Sequence, residues 1–251
     1  MFQVINPALG SPQITVQQTQ ADWAKFLGRD GGTVPGMRPG YKVEAYDGIF
    51  GQATFMLAYG VASNVIGAAV RIGAGYATTL AAASVRGQMA ISMSANTDTA
   101  ALSWYCIQGQ CPVKASTMAV NLPLFSSGTA GSLSSSVSAT NEVTGASSVL
   151  AASGTVTTKS IRTVNTTDLI EVPDLDGLYV GQSVTGTGVG ASAVISAIGQ
   201  GGTMLGAMGP SKNFIQVSVV STASGRVTGT FAHPATFGTA SLAYPVMAGL
   251  G

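Results

Sequence analysis

From Tyr41 to Ala115 apolar and polar residues alternate in short runs: YKVEAY, GQATFMLAYGVA, GAAVRI, YATTLAAA, GQMAISMSAN and LSWYCIQGQCPVKA. Each run has the length of a strand. Alternation with a period of two is what a half-buried strand requires, because successive side chains point to opposite faces. Runs spaced about 8 to 12 residues apart predict a β-sandwich or a barrel-like sheet.

The region 115–158 contains one charge, Glu142, in a background of Ser, Ala, Thr, Gly and Val. Such low complexity suits a linker, but disorder normally accompanies high charge. Apolar positions persist at Val120, Leu122, Leu124, Phe125, Val137, Val143, Val149 and Leu150, so ordered strands with long loops are expected. A different texture starts near Lys159. KSIRTVNTTDLIEV, PDLDGLYVGQSVTGTGVGASAVISAIG and NFIQVSVVSTASGRVTGTFAH read as a strand, a turn-rich strand pair and closing strands, a small β module. TFGTASLAYPVMAG then returns to the texture of the first region.

Residues 1–40 read as an extended arm interrupted by turns, with prolines at Pro7, Pro12, Pro35 and Pro39. Within it, Thr19 to Gly28 predicts a helical turn or two, stopped by Gly28. Trp23 and Phe26 either cap the core or anchor the arm on a neighbouring subunit. Pro7, Ile14, Val16, Trp23 and Phe26 are the candidate partner contacts.

Charge changes the picture. Of 251 residues, 11 are Lys or Arg and 10 are Asp or Glu, for a formal net charge of +1. That share, 8% charged, is about a third of the usual one. So weakly charged a surface suits a protein that works in an assembly. With the few cations scattered there is no phosphate-neutralising stripe, and nucleic acid is excluded as a partner. The N-terminus MFQVINPALGSPQITVQQTQ has no cation ahead of an apolar stretch, which predicts synthesis in a cytoplasm without Sec-type export. The most apolar region, 53–85, is broken by Asn64, Arg71 and several glycines, so no membrane span is expected.

Cys106 and Cys111 lie in WYCIQGQC, read as a strand, a four-residue loop and a strand. A disulfide across such a hairpin is geometrically possible, but a reducing cytoplasm favours free thiols. His233, the single histidine, precedes Pro234, which predicts an exposed turn and leaves no second histidine for a triad or a zinc site. Glu171, Asp174 and Asp176 in EVPDLDG offer the carboxylates of a calcium loop or a carboxylate pair. The spacing is incomplete for an EF-hand, and Asp and Gly are ordinary turn residues, so a turn is expected. GTGVG and GQGGT are followed by no Gly-Lys-Ser/Thr, so they read as loops. Adjacent Trp104 and Tyr105 fall on opposite faces of a strand, one for the core and one available to a partner. No catalytic, cofactor or metal residue is assigned, and no enzymatic activity is expected.

The stretch QMAISMSANTDTAALSWYCIQGQCPVKA resembles a segment of bacteriophage capsid decoration (cement, head-stabilising) proteins: Ser103-Trp104-Tyr105 stands for their Gly-Trp-Tyr, Ile107-Gln108-Gly109 for the Gly turn, and Val113-Lys114-Ala115 for the following strand. DGIFGQATFMLAYGVAS is similar to that family's early strand after an Asp-Gly turn. GLYVGQSVTGTGV, residues 177–189, is similar to a VGxxVxGtG module of phage structural and tail-associated proteins, and SLAYPVMAG is similar to the end of the decoration fold. The resemblance implies an all-β protein with an extended N-terminal arm over 1–40. A main β domain over 41–158 is completed by 236–251, with a small β domain inserted over 159–235. It further implies a virion structural protein on the outer capsid surface, binding the major capsid protein and itself as a homodimer or homotrimer. A tail-fibre or receptor-binding component is the alternative.

Overall fold

A computed structural model of the chain describes residues 2–5, 39–82, 86–137, 142–200 and 213–247. It is all-β and divides into two compact units: residues 2–152 with 235–251, and residues 153–234. The insert therefore begins at Ser153, six residues ahead of the Lys159 expected from the change in texture. Both junctions lie on neighbouring strands. In the larger unit Leu150 pairs with Thr239, and in the insert Thr155 pairs with Ala232, so the insertion spreads neither sheet.

The larger unit is one curled sheet, a half-barrel. Among the described residues its eleven strands are β1 (Gln3–Val4), β2 (Lys42–Asp47), β3 (Gly51–Tyr59), β4 (Ala69–Ile72), β5 (Thr78–Leu80), β6 (Gly87–Ser92), β7 (Leu102–Thr117), β8 (Pro123–Ser126), β9 (Leu133–Ser134), β10 (Glu142–Leu150) and β17 (Phe237–Met247). The first two of these show that the arm's opening residues belong to this sheet: Gln3 and Val4 pair antiparallel with Tyr46 and Ala45.

Strand β7 organises the unit. Over Leu102–Gln108 it pairs with β3, and over Gln108–Lys114 with β17, while Tyr105 and Cys106 also pair with β6. WYCIQGQC is thus no hairpin but the middle of one 16-residue strand. Gly109 absorbs the change of partner. It sits at φ 96°, and a Cβ there would lie 2.5 Å from the Gln52 carbonyl oxygen and 2.7 Å from Ala53 Cα. Only glycine tolerates both the left-handed angle and the close backbone.

Because the sheet curls, β3 and β7 are covered on both sides. Met56, Ala58, Val70, Ile72, Ala90, Tyr105 and Ile107 form a cluster on one side. Phe55, Leu57, Ile91, Trp104 and Cys106, which alternate with these, are equally buried. The expectation that Trp104 or Tyr105 would face a partner is therefore corrected: both are buried, as in the near-continuous apolar runs of strands covered on two faces. A buried polar knot ties the loops beside β6. The Asn64 side-chain amide donates to Ser92 Oγ (2.8 Å), to the Ser94 carbonyl (3.1 Å) and to the Asn96 carbonyl (3.2 Å), and Ser94 Oγ meets Ser103 Oγ at 2.9 Å.

The insert is a closed barrel of six strands: β11 (Thr155–Thr163), β12 (Leu169–Val172), β13 (Ser183–Thr185), β14 (Ile195–Gln200), β15 (Asn213–Val217) and β16 (Gly225–Ala232). Closure falls between β13 and β14, where Val184 N–H donates to the Ala193 carbonyl and Ile195 N–H to the Gln182 carbonyl, each at 2.9 Å. Inward residues Ile161, Ile170, Val184, Ile195, Ile215 and Phe231 fill it with Leu175 and Leu178. The glycines of VGQSVTGTGVG serve turns and close packing. At Gly190 a Cβ would meet Val219 Cγ1 at 2.6 Å and the Val220 carbonyl at 2.7 Å. Of the two architectures expected from strand spacing, the barrel-like one is found.

Candidate functional site

Pro7, Ile14, Val16, Trp23 and Phe26, with the short helix expected at 19–28, lie outside the described residues. The carboxylates of EVPDLDG are dispersed among separate tasks. Asp174 accepts the Asp176 N–H at 3.0 Å, an Asx-type turn, and forms an ion pair with the buried Lys159 ammonium. Partial burial raises the Asp174 carboxyl, but the Lys159 ammonium and the Asp176 N–H outweigh it and hold the group below its ordinary value. Glu171 lies opposite Arg162 in the β11–β12 register, 3.6 Å from its guanidinium. The turn reading thus describes this segment. Among the described residues no group of three or more His, Cys, Asp or Glu side chains is placed to hold a metal ion.

His233 is not in an exposed turn. It is 2% exposed at the end of the barrel, where its Nδ1 lies 2.5 Å from the Tyr179 hydroxyl, itself fully buried. Burial raises the Tyr179 pKa, so the hydroxyl keeps its proton, and burial also pushes His233 down to about 4; the two share a hydrogen bond whose donor follows the imidazole tautomer. The pair is neutral over the physiological range. The segment is extended up to Pro234, as expected before proline, but tertiary packing covers it.

Both cysteines are free and buried within β7. Burial, first, and the neighbouring Cys106 thiol push the Cys111 pKa well up, which suppresses the nucleophilic thiolate. Tyr105, pushed up to about 12 by burial, donates its hydroxyl to the Tyr59 carbonyl at 2.9 Å. These groups are set for packing.

One solvent-exposed face runs from β2 across the start of β3 and Gln108 of β7 to Tyr244 of β17. In KVEAYD the residues Lys42, Glu44 and Tyr46 are exposed, and Val43, Ala45 and Asp47 are buried. Gln52 Nε2 donates to Glu44 Oε2 at 3.2 Å, and Thr54 Oγ1 donates to Gln108 Oε1 at 3.4 Å, carrying the row across to β7. Tyr244 on β17 completes it, with Lys42 Nζ 5.7 Å from its ring centre. Tyr244 stands at φ 50°, a left-handed angle rare for a bulky residue, and its ring is half-exposed, as is that of Tyr46. Opposite it the β10–β17 register slips at Gly145. Bulges of this kind re-aim a side chain. The face offers amides, hydroxyls, two phenol rings and one charge of each sign, chemistry for stacking and hydrogen bonding. Sequence reasoning passed over Tyr46 and Tyr244, although the alternation in YKVEAY already places Lys42, Glu44 and Tyr46 on one side.

Fold and face define the class: an all-β protein of two units, with, among the described residues, a curled eleven-stranded sheet and a closed six-stranded barrel whose sequence is inserted between β10 and β17. No protein-family model, curated protein or solved structure matches the chain.

Proposed function

We propose that this chain is a non-enzymatic virion structural protein, a capsid decoration protein that binds the outer surface of the major capsid lattice and stabilises the head. The observation that carries the reading is the resemblance of QMAISMSANTDTAALSWYCIQGQCPVKA to decoration proteins, a segment that runs through β6 and the central strand β7. Two further features favour it. Charge is sparse at 8% of residues, which suits burial against partner surfaces. The solvent face from Lys42 to Tyr244 presents half-exposed tyrosines, a residue type favoured where an interface must bury a ring and satisfy its hydroxyl. A copy on a local symmetry axis that is itself dimeric or trimeric gains avidity by engaging several sites at once.

The alternative, a tail-fibre or receptor-binding component, draws on the VGxxVxGtG similarity, which falls in the barrel. A reconstruction of the particle that carries this chain tests both. Density on the outer head lattice, bridging capsid subunits in many copies, is expected; density confined to the tail or to one vertex overturns decoration and favours receptor binding.

A further inference from the structure

We propose that β1 exchanges between copies of this chain, so that residues 2–5 of one copy complete the sheet edge of another. β1 is two residues long and, among the described residues, lies at the end of the sheet and pairs with β2 alone. Its hold is concentrated in one side chain. Phe2 is 1% exposed, with its ring edge-on to Phe55 at 4.8 Å and stacked on Phe50 at 6.0 Å. The other attachments are the pairing of Gln3 and Val4 with Tyr46 and Ala45, and the Ile5 N–H bond to the Glu44 carbonyl at 3.0 Å. Ile5 and Ile49, beside this edge, remain 46% and 44% exposed.

The covalent connection does not choose the partner. An antiparallel pair needs only about 2–5 residues between its strands. Here positions 6 to 38, 33 residues by subtraction, lie between β1 and the next described residue, Pro39. A chain of that length spans up to roughly 110 Å when extended, so β2 of an adjacent copy is as reachable as its own. The contacts made by Phe2 are the same in either case. What favours the chain's own edge is the effective concentration that a covalent connection confers, on the order of millimolar. Copies packed side by side reach that concentration, and exchange then links them without any new interface. The partner is a second copy of this chain, whatever surface the assembled protein binds.

The test traps the pairing. The Ile5 N–H to Glu44 carbonyl bond makes Ile5 and Glu44 a hydrogen-bonded pair, so Val4 and Ala45 form the adjacent non-hydrogen-bonded one, the arrangement with the closer Cβ atoms. Copies carrying Val4→Cys are mixed with differently tagged copies carrying Ala45→Cys and oxidised mildly, at about 0.01 to 1 mM to bracket the tether's effective concentration. The expected result is a disulfide-linked heterodimer on a non-reducing gel that increases with concentration and is lost when Phe2→Ala is added to the Val4→Cys copy. The double variant Val4→Cys/Ala45→Cys in one chain reports whether the pair can bond at all. Cross-linking within that chain, with no heterodimer at any concentration, overturns the exchange. Absence of any disulfide in either arrangement overturns it too, by showing that β1 does not pair with β2.

Discussion

Acidification should destabilise the barrel through a single side chain. His233 is 2% exposed, with Nδ1 2.5 Å from the Tyr179 hydroxyl. Burial lowers its pKa from 6.5 to about 4. Protonation would place a positive charge on an imidazole that burial removes from water. Because the folded value lies below the unfolded one, the unfolded chain binds the extra proton between them. The stability due to neutral His233 is therefore complete above pH 6.5 and is lost as pH falls from 6.5 towards 4. Each pKa unit corresponds to 1.36 kcal/mol, so the whole effect is about 3 kcal/mol.

The chain has one histidine, so the imidazole Cε1–H gives one NMR resonance that can be followed through a titration. A midpoint near 4 is expected. Urea unfolding between pH 7 and pH 4, on the wild type and on His233→Gln, measures the free energy: the variant should be less stable at pH 7 and lose less on acidification. The carboxylates, common to both, cancel in the difference. A midpoint near 6.5, or parallel pH profiles for the two proteins, would refute the reasoning.

Gly109→Ala should cost upward of about 2 kcal/mol, seen as a lower urea midpoint, because the added Cβ combines left-handed strain with a 2.5 Å approach to the Gln52 carbonyl. Asp174→Ala strands the buried Lys159 ammonium. The expected loss is about 1–2 kcal/mol, below that of a fully buried pair because the Asp174 side chain is 50% exposed, and Lys159→Met in the same chain should recover most of it in chemical denaturation. Cys106 and Cys111 should resist a thiol-specific colorimetric reagent in the native protein, and both should react in denaturant. Rapid native reaction would contradict their burial.

The alternation in KVEAYD and the apolar runs in TFMLA and SWYCI reflect what each strand faces, water on one side or protein on both. Strand identity is therefore written locally. The Asx-type turn at Asp174 is local as well, since it needs only the backbone N–H two residues on.

Other features depend on residues distant in the chain. Gly109 reads as part of a turn in sequence, whereas the pairing of β7 with β3 and then β17 carries it through the middle of one strand. The insert begins at Ser153 because Thr155 finds Ala232, more than seventy positions away. His233 is buried because Tyr179 meets it across the barrel, whereas Pro234 governs only the backbone before it. Tyr46 and Tyr244 share a face only once β3 and β7 are laid between their strands. Composition and alternation alone determined that this chain is all-β and sparsely charged, because side-chain partitioning between water and core acts residue by residue. Closure of the barrel, curling of the sheet and the identity of its exposed face arise from long-range strand pairing, which only the tertiary structure decides.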